Sequence, residues 1–316
     1  MWVTSSPTTV LTPTAVALGN FDGIHQGHQQ VIQPVLLFSE AVQRSDRIHA
    51  TVVTFHPHPQ EFFTGQPRLL LTPLIEKAAQ LNVLGVKQLV LLPFNESLAN
   101  LSPEEFVEKI LVRQLKAIKV SIGADFCFGR QRSGNAEVLQ AIAAKHGIAV
   151  SIAPLKNVDH DRISSSAIRQ ALQQGDIKHA NQLLGRPYQL IGKVVQGQQL
   201  GRTIGFPTAN LQLPPDKFLP CSGSYAVRVH RCDRGSEVDL SAVPALQGVM
   251  NLGYRPTVDG TMQTIEVHLF DWSDDLYDQT LVVSLVAFLR SEQKFPSLDA
   301  LKAQIQADCD AARQLL

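Results

Sequence analysis

Gly19-Asn20-Phe21-Asp22-Gly23-Ile24-His25-Gln26-Gly27-His28 decides how the first half of the chain is read. It follows the apolar run Ala15-Val16-Ala17-Leu18 and precedes an apolar-periodic segment from Val31 to Leu37. That order is strand, turn, helix. The glycines Gly19, Gly23 and Gly27 permit a tight turn and let the backbone approach a ligand closely. A helix start offers free N–H groups and a partial positive charge, so it suits phosphate. His25 and His28, placed there, can donate to phosphate oxygens and stabilise charge developing at phosphorus. Phe21 and Asp22 belong to the same candidate phosphate-binding turn. Taken alone, the pattern fits a structural histidine pair equally well.

Working outward, strand patterns fall at 15–18, 51–55, 88–92, 120–122 and 149–153. Helix signals lie between them. Thr72-Pro73 reads as an N-cap and first helical residue, with Leu74, Ala78 and Leu81 on one face. Ser102-Pro103-Glu104-Glu105 is a capping box ahead of Phe106, Ile110 and Leu111. A third helix is expected over 134–146. Strands alternating with helices predict parallel βαβ units and a Rossmann-like doubly wound sheet. Ligands of such sheets bind beyond the strand carboxyl ends, where the opening segment falls.

The pattern changes at Leu184-Gly185-Arg186-Pro187, a helix C-cap glycine with a proline stop after it. The expected division is 1–184 and 185–316. Beyond it come short strand patterns at 189–195, 225–230, 246–252, 264–269 and 281–289. In the last, Val283, Leu285 and Ala287 alternate with Ser284, Val286 and Phe288. Antiparallel all-β structure in a small barrel follows. Ser297 then caps a final helix carrying Leu298, Leu301 and Ile305 on one face.

At 316 residues, the chain has room for about two domains. Lys+Arg and Asp+Glu both number 28, so net charge gives no support to a nucleic-acid or anionic-membrane partner. No apolar run approaches the roughly 18 residues that span a bilayer. The first residues lack the basic start and apolar core of a secretory signal. Cys127, Cys221, Cys232 and Cys309 form no CxxC pair. A cytoplasmic, soluble protein with reduced thiols is the expectation.

Other segments carry chemistry. Thr54-Phe55-His56-Pro57-His58-Pro59 closes the second strand with a proline-fixed turn. Gly123-Ala124-Asp125-Phe126-Cys127-Phe128-Gly129 closes the fourth. His56 and His58 do not read as a metal pair. Arg162-Ile163-Ser164-Ser165-Ser166-Ala167-Ile168-Arg169 offers serines at a helix start and two cations for an anion; a plain N-cap with solvated arginines is the alternative. In the second half, Gly192-Lys193-Val194-Val195-Gln196-Gly197 precedes Gly201-Arg202-Thr203-Ile204-Gly205-Phe206-Pro207-Thr208-Ala209-Asn210. This is a glycine-rich phosphate-approach segment but no P-loop. Thr208 and Asn210 share a face of an extended chain and offer neutral oxygens suited to Mg²⁺, or else serve as turn residues. Glu266 and His268 share a strand face. Glu266 is placed to accept a proton from a substrate hydroxyl, unless that face is simply solvated.

The first-half segments, in this order and spacing, resemble the nucleotidyltransferase part of the bacterial bifunctional riboflavin kinase/FAD synthetases. The resemblance implies transfer of AMP from ATP to FMN. His25 and His28 would stabilise the transition state at the α-phosphate. Gly19, Phe21, Asp22, Gly23, Gly27, Arg162, Ser165, Ser166 and Arg169 would bind nucleotide. Phe55, Pro57, Pro59, Asp125, Phe126 and Phe128 are the flavin candidates. Ser166 stands where this family often has threonine; the hydroxyl is retained.

GFPTAN, the segment 248–257, Glu266 and the tail 288–295 are similar to the riboflavin kinase module, a six-stranded β-barrel. The resemblance implies ATP-dependent phosphorylation of riboflavin to FMN. Gly192, Lys193, Gly197, Arg202, Gly205 and Thr208 would meet phosphates, and Thr208 and Asn210 would hold Mg²⁺. Glu266 would act as the base, and Arg290 would contact flavin. Asp278 stands where glycine is usual, which puts that turn in question. A flavin-binding protein with inactive sites is the rival reading, against which His25, His28, Thr208, Asn210 and Glu266 argue. Oligomeric state is not read from the sequence.

Overall fold

The computed structural model describes residues 1–42, 48–158, 161–197, 201, 204–232, 245–257 and 260–316. Backbone packing divides the chain into two compact units, Met1–Ser165 and Ser166–Leu316.

The first unit is built on a six-stranded parallel sheet: β1 (Trp2–Thr4), β2 (Thr14–Leu18), β3 (His49–His56), β4 (Gln88–Pro93), β5 (Ala117–Gly123) and β6 (Ala149–Ala153). Their order is β1-β4-β3-β2-β5-β6. Every residue of β2 is buried. Ala15 and Ala17 point into one core with Val52, Leu89 and Ile32, and Val16 and Leu18 into the other with Val53, Val90 and Val120. A strand covered on both faces therefore reads as a continuous apolar run. The chain runs from β2 outward through β3 and β4, then returns to β5 on the other side of β2. The turn after β2 lies beside this reversal, where doubly wound sheets bind ligands. The edge strand β1 escaped the sequence reading. It has three residues, and Trp2 and Val3 are exposed, so it shows no alternation.

Helix α1 (Gln26–Val42) follows the turn, then α2 (Pro59–Thr64) and α3 (Leu74–Val83). The expectation that Thr72 caps α3 is corrected. Pro73 occupies the cap position with no side-chain bond, and the Thr72 hydroxyl instead accepts the Gly23 N–H at 2.9 Å. Helix α4 is Glu96–Ala99, and α5 (Pro103–Phe106) begins with the expected capping box on Ser102 and Glu105. It continues as a π-helical stretch, Val107–Gln114, that buries Val107, Ile110 and Leu111. Helix α6 is Ala136–Ala144, shorter than the expected 134–146 because Asn135 caps its start.

In the second unit, β9 (Tyr188–Val195), β10 (Ala209–Gln212), β11 (Gly223–Cys232), β12 (Leu246–Thr257), β13 (Gly260–Leu269) and β14 (Thr280–Ser291) close an antiparallel barrel in the order β10-β13-β12-β11-β14-β9. A two-stranded ribbon, β7 (Asn157–Val158) and β8 (Asp161–Arg162), precedes them in the chain. The short β10 was not read as a strand from sequence. Tyr225 fills the barrel interior, its hydroxyl donating to the Cys221 carbonyl.

Helices α7 (Ser165–Gln174) and α8 (Ile177–Leu184) fall with the barrel, apart from Ser165, rather than with the sheet. Asn181 of α8 donates to the Leu285 carbonyl at 2.9 Å and accepts the Tyr188 N–H at 2.7 Å. The compact units thus divide after Ser165, whereas the sequence pattern suggested a break after Leu184. Helix α9 (Leu298–Leu315), capped by Ser297, lays Cys309 and Ala312 against Ala226, Val249 and Phe270 of the barrel.

Candidate active sites

The segment after β2 is a strained turn held on all sides. Phe21 and Ile24 have φ of 48° and 43°, and Gly23 has 96°. Left-handed backbone at two non-glycine residues persists only where the surroundings fix it. Here they do. The Gly19 N–H donates to the Val53 carbonyl at 3.2 Å. The Thr54 hydroxyl and the Lys77 ammonium both donate to the Asn20 carbonyl at 2.9 Å. The buried Asp22 carboxylate accepts the backbone N–H groups of Leu71 at 2.8 Å and Thr72 at 3.3 Å. The Ser165 hydroxyl donates to the Asp22 carbonyl at 2.7 Å.

The histidines have distinct positions. His25 is buried and stands just before α1, where its Nδ1 accepts the His28 N–H at 3.2 Å. It thereby satisfies one of the donors a helix start leaves open. An Nδ1 that accepts carries no proton, so the proton of the neutral ring sits on Nε2. His28, one turn on, stacks on His25 with ring centroids 3.6 Å apart and planes 14° apart. Phe21 flanks His28 at 5.3 Å. A Cβ at Gly27 would stand 3.2 Å from the His25 ring, so glycine lets the imidazole fold over the first turn.

All strands of the sheet are parallel, so their carboxyl ends share one edge. Phe55 and the cis His56–Pro57 bond end β3, and Pro59 is the first residue of α2, where the His58 ring accepts the Gln60 N–H. Past β5, Asp125 pairs with Arg162, which joins one flavin candidate to one nucleotide candidate. Phe126 is half-buried and stacks on Phe128 at 5.8 Å. The structure also brings residues that sequence reading passed over. Phe62 and Phe63 of α2 meet Phe94, just after β4, at 5.3 and 5.7 Å, and Phe94 meets Phe55 at 5.6 Å. Phe63 is 70% exposed. An adjacent aromatic pair inside the otherwise polar PQEFFTGQP was the available signal.

Three candidates make contacts within the fold. The Asp22 carboxylate clamps the backbone of the 71–72 segment. Phe128 is only 5% exposed and packs on Phe106, so it is core. Arg169 lies over the Phe218 ring at 4.6 Å within the second unit. Ser166 is exposed on the first turn of α7.

In the barrel, Glu266 of β13 lies opposite Asn210 of β10 and Asn251 of β12. The Thr208 hydroxyl stands 3.5 Å from the Glu266 carboxylate. His268, on the same face, contacts the Pro207 carbonyl at 2.8 Å. Thr208, Asn210, Asn251, Glu266, His268 and Arg290 line a cavity of about 350 Å³ that α9 closes on one side with Leu301, Ile305, Asp308 and Cys309. That volume falls within the roughly 300–1,000 Å³ of small-molecule sites. Phe206 and Phe295 supply flat apolar walls, and Arg290 stands 5.6 Å from the Phe295 ring. Arg290 is held by Asp308 through Nε at 2.9 Å and Nη2 at 2.8 Å. Burial pushes the Cys309 thiol up to about 11, so it stays protonated.

Of the glycine-rich segment, Gly201 lines the cavity and Gly205 takes a φ of 90°. Gly197 leaves room for the Asn210 amide, which a Cβ would meet at 2.3 Å. Gly192 and Lys193 both lie within β9. A Cβ at Gly192 would strike Leu213 at 2.6 Å, and Lys193 pairs with Asp278 at 2.7 Å. Arg202 lies outside the described residues. Asp278 keeps the turn that glycine would make by taking a φ of 62°.

The fold and the two sites define a two-unit transferase, with a nucleotide-type turn on a doubly wound sheet and a carboxylate-bearing cavity in a barrel. The family model for FAD synthetase matches residues 8–167, and that for riboflavin kinase matches residues 184–316. A bifunctional riboflavin kinase/FMN adenylyltransferase of Haemophilus influenzae is 39% identical over 96% of this chain and 94% of its own length. The protein of the same description from Pseudomonas fluorescens is 41% identical over 94% and 91%. A crystal structure described as a macrolide-efflux protein from Streptococcus pneumoniae superposes with a TM-score of 0.83 at 31% identity, covering 98% of both chains. Among the described residues of this chain, no helix is long and apolar enough to cross a membrane. The chain belongs to the bifunctional riboflavin kinase/FMN adenylyltransferase family.

Proposed function

We propose that the barrel phosphorylates riboflavin to FMN and that the α/β unit transfers AMP from ATP to FMN, giving FAD and pyrophosphate. The observation that carries this is the pair of separate constellations, one in each unit, each within its own family match.

In the barrel, Glu266 takes the proton of the ribityl 5′-hydroxyl as that oxygen attacks the γ-phosphorus of ATP and ADP leaves. The isoalloxazine ring lies between the apolar walls of the cavity, near Arg290. The Thr208 and Asn210 oxygens beside Glu266 form a hard, neutral-plus-anionic donor set, and Gly197 leaves the Asn210 amide its space. These residues fit Mg²⁺. Bound there with ATP, the ion would neutralise phosphate charge.

In the α/β unit no enzyme nucleophile is needed. An FMN phosphate oxygen attacks the α-phosphorus, the bond to the β-phosphate breaks, and pyrophosphate departs. His25 Nε2–H and His28 stabilise the charge that develops, and the first turn of α1 adds its N–H groups. Arg162 holds the triphosphate. Phe55, Phe62, Phe63 and Phe126 are the aromatics offered to the flavin. Arg162 leaves Asp125 when phosphate arrives.

Incubating the purified protein with riboflavin, ATP and Mg²⁺, with products separated by chromatography, tests the reading. FMN should appear first and FAD later, and chelation of divalent cations should stop both. If neither product forms, the reading fails.

A further inference from the structure

Lys77 takes no part in the chemistry described above, yet its ammonium is buried directly beneath the turn that carries His25 and His28. It is 7% exposed. Burying a charged ammonium is costly unless something specific compensates it. Helix α3 places Lys77 so that Nζ donates to the Asn20 carbonyl at 2.9 Å, and the Thr54 hydroxyl of β3 donates to the same oxygen. The carboxylate of Asp22, two residues on, attracts the ammonium. That same carboxylate holds Leu71 and Thr72, the two residues before Pro73 and α3.

The three groups form a closed arrangement. Asp22 fixes the approach to α3, α3 carries Lys77, and Lys77 returns to fix Asn20. The left-handed residues Phe21, Gly23 and Ile24 lie directly after the pinned carbonyl and lead into His25. Three residues at positive φ in four positions define where the His25 ring stands. Release of Asn20 would free that backbone toward ordinary φ values.

We propose that Lys77 is a positioning residue for adenylyl transfer: its buried positive charge, set against Asp22 and the Asn20 carbonyl, holds the His25–His28 pair at the reacting phosphorus. This rests on the adenylyl-transfer reading of the turn.

Charge matters here as well as hydrogen bonding. A neutral amine can still donate to Asn20 but leaves the Asp22 carboxylate uncompensated in a buried setting. Burial, opposed by the attraction of Asp22, brings Lys77 down to about 8. Asp22 comes from the turn, β3 offers only the neutral Thr54 hydroxyl, and Glu76 precedes Lys77 on its own helix. The ammonium is therefore half-populated near pH 8, held as pH falls below that and lost as pH rises above it. FAD formation should fall as pH rises through about 8, by raising the barrier rather than by weakening ATP binding. FMN formation in the same sample should not share that alkaline limb, because the barrel site does not contain Lys77.

The test uses the full chain and three variants, with FAD formation from supplied FMN and FMN formation from riboflavin read side by side. Lys77→Met keeps the length and removes the charge. Its kcat for FAD formation should fall roughly tenfold or more, as expected for loss of one charge-assisted bond, with KM for ATP little changed and FMN formation retained. Lys77→Arg keeps the charge and should retain activity with its alkaline limb moved upward. An alkaline limb in the same place for Lys77→Arg would overturn the proposal, even if Lys77→Met does not fold. So would Lys77→Met activity within twofold of the parent. His28→Ala separates the two readings. If it leaves FAD formation intact, the reading of the turn itself is wrong; if it is inactive while Lys77→Met is fully active, only the role of Lys77 fails.

Discussion

In the α/β unit the candidate catalytic groups sit on a turn; in the barrel they sit on a strand. The turn is held by buried polar contacts from three other segments: Thr54 of β3, Thr72 and Lys77 around the start of α3, and Ser165 at the start of α7. The strand needs no such scaffold. Glu266 takes its direction from the pleat of β13 and its partners from the register with β10 and β12. A turn-borne site is thus fixed by many weak constraints and is sensitive to each. A strand-borne site is fixed by the barrel ladder and exposed mainly to changes in its own lining.

The largest effects should come from exchanging the reacting groups themselves. Glu266→Gln should reduce FMN formation by roughly 10²–10⁴-fold, the range of general-base catalysis, and leave FAD formation from supplied FMN untouched. His28→Ala should do the reverse, at roughly 10²–10³-fold, the cost of one stabilising donor. Steady-state assays of both reactions on each variant check this. Loss of both activities in a folded variant would dissolve the separation of the two sites.

Next in size is the lining of the barrel cavity. Asp308 is 6% exposed and holds Arg290 by two donor atoms, with Gln304 donating to it as well. Asp308→Ala leaves the Arg290 cation without that partner, at about 3 kcal/mol, the lower end of the range for breaking a buried pair. Thermal unfolding of the barrel should drop, and KM for riboflavin should rise, since Arg290 and α9 both line the cavity. Unchanged riboflavin KM would remove Arg290 from the flavin site.

The turn gives the next measurement. Thr72→Val keeps shape and removes the acceptor of the Gly23 N–H, at about 1–2 kcal/mol for an orphaned buried donor. FAD formation should fall while FMN formation holds. If Thr72 acted as a helix cap, as its sequence suggested, the loss would be one of α3 stability with FAD kinetics per folded molecule unchanged.

Legibility followed the same division. The barrel site could be read because alternation puts Glu266 and His268 on one face against Ile265, Val267 and Leu269, and two-residue spacing does the same for Thr208 and Asn210. The histidines of the turn could be read because a strand-turn-helix order is local. What supports the turn could not. Lys77 and Thr72 are 49 residues or more from their partners, and nothing in a helix pattern tells that an apparent cap serves a distant N–H. The backbone role of Asp22 was hidden for the same reason: only the fold shows its carboxylate accepting the N–H groups of Leu71 and Thr72. The strand position of Gly192 and Lys193 was hidden as well, because glycine and lysine in sequence look like a phosphate loop, while the ladder pairs them with β14.

The smallest effect sharpens the barrel side. Asp278 holds a φ of 62° and donates its N–H to the Val194 carbonyl at 3.1 Å, so the turn into β14 requires left-handed backbone at a residue with a Cβ. Aspartate tolerates this better than most residues but not as well as glycine. Against that strain stands the pair with Lys193, whose partners are 55% and 60% exposed, so it contributes between zero and about 1 kcal/mol. Asp278→Gly relieves the strain, loses the pair and adds freedom to the unfolded chain, so the net change should lie within about 0.5 kcal/mol of zero. The contributions separate in a cycle. In a Lys193→Met background the pair with Lys193 is already gone, and Asp278→Gly should then raise the melting temperature of the barrel relative to its own parent. High salt should produce the same trend by screening the pair. If Asp278→Gly lowers stability in that background, strain at position 278 is not what the turn carries, and the aspartate is held by contacts stronger than its exposed partner provides.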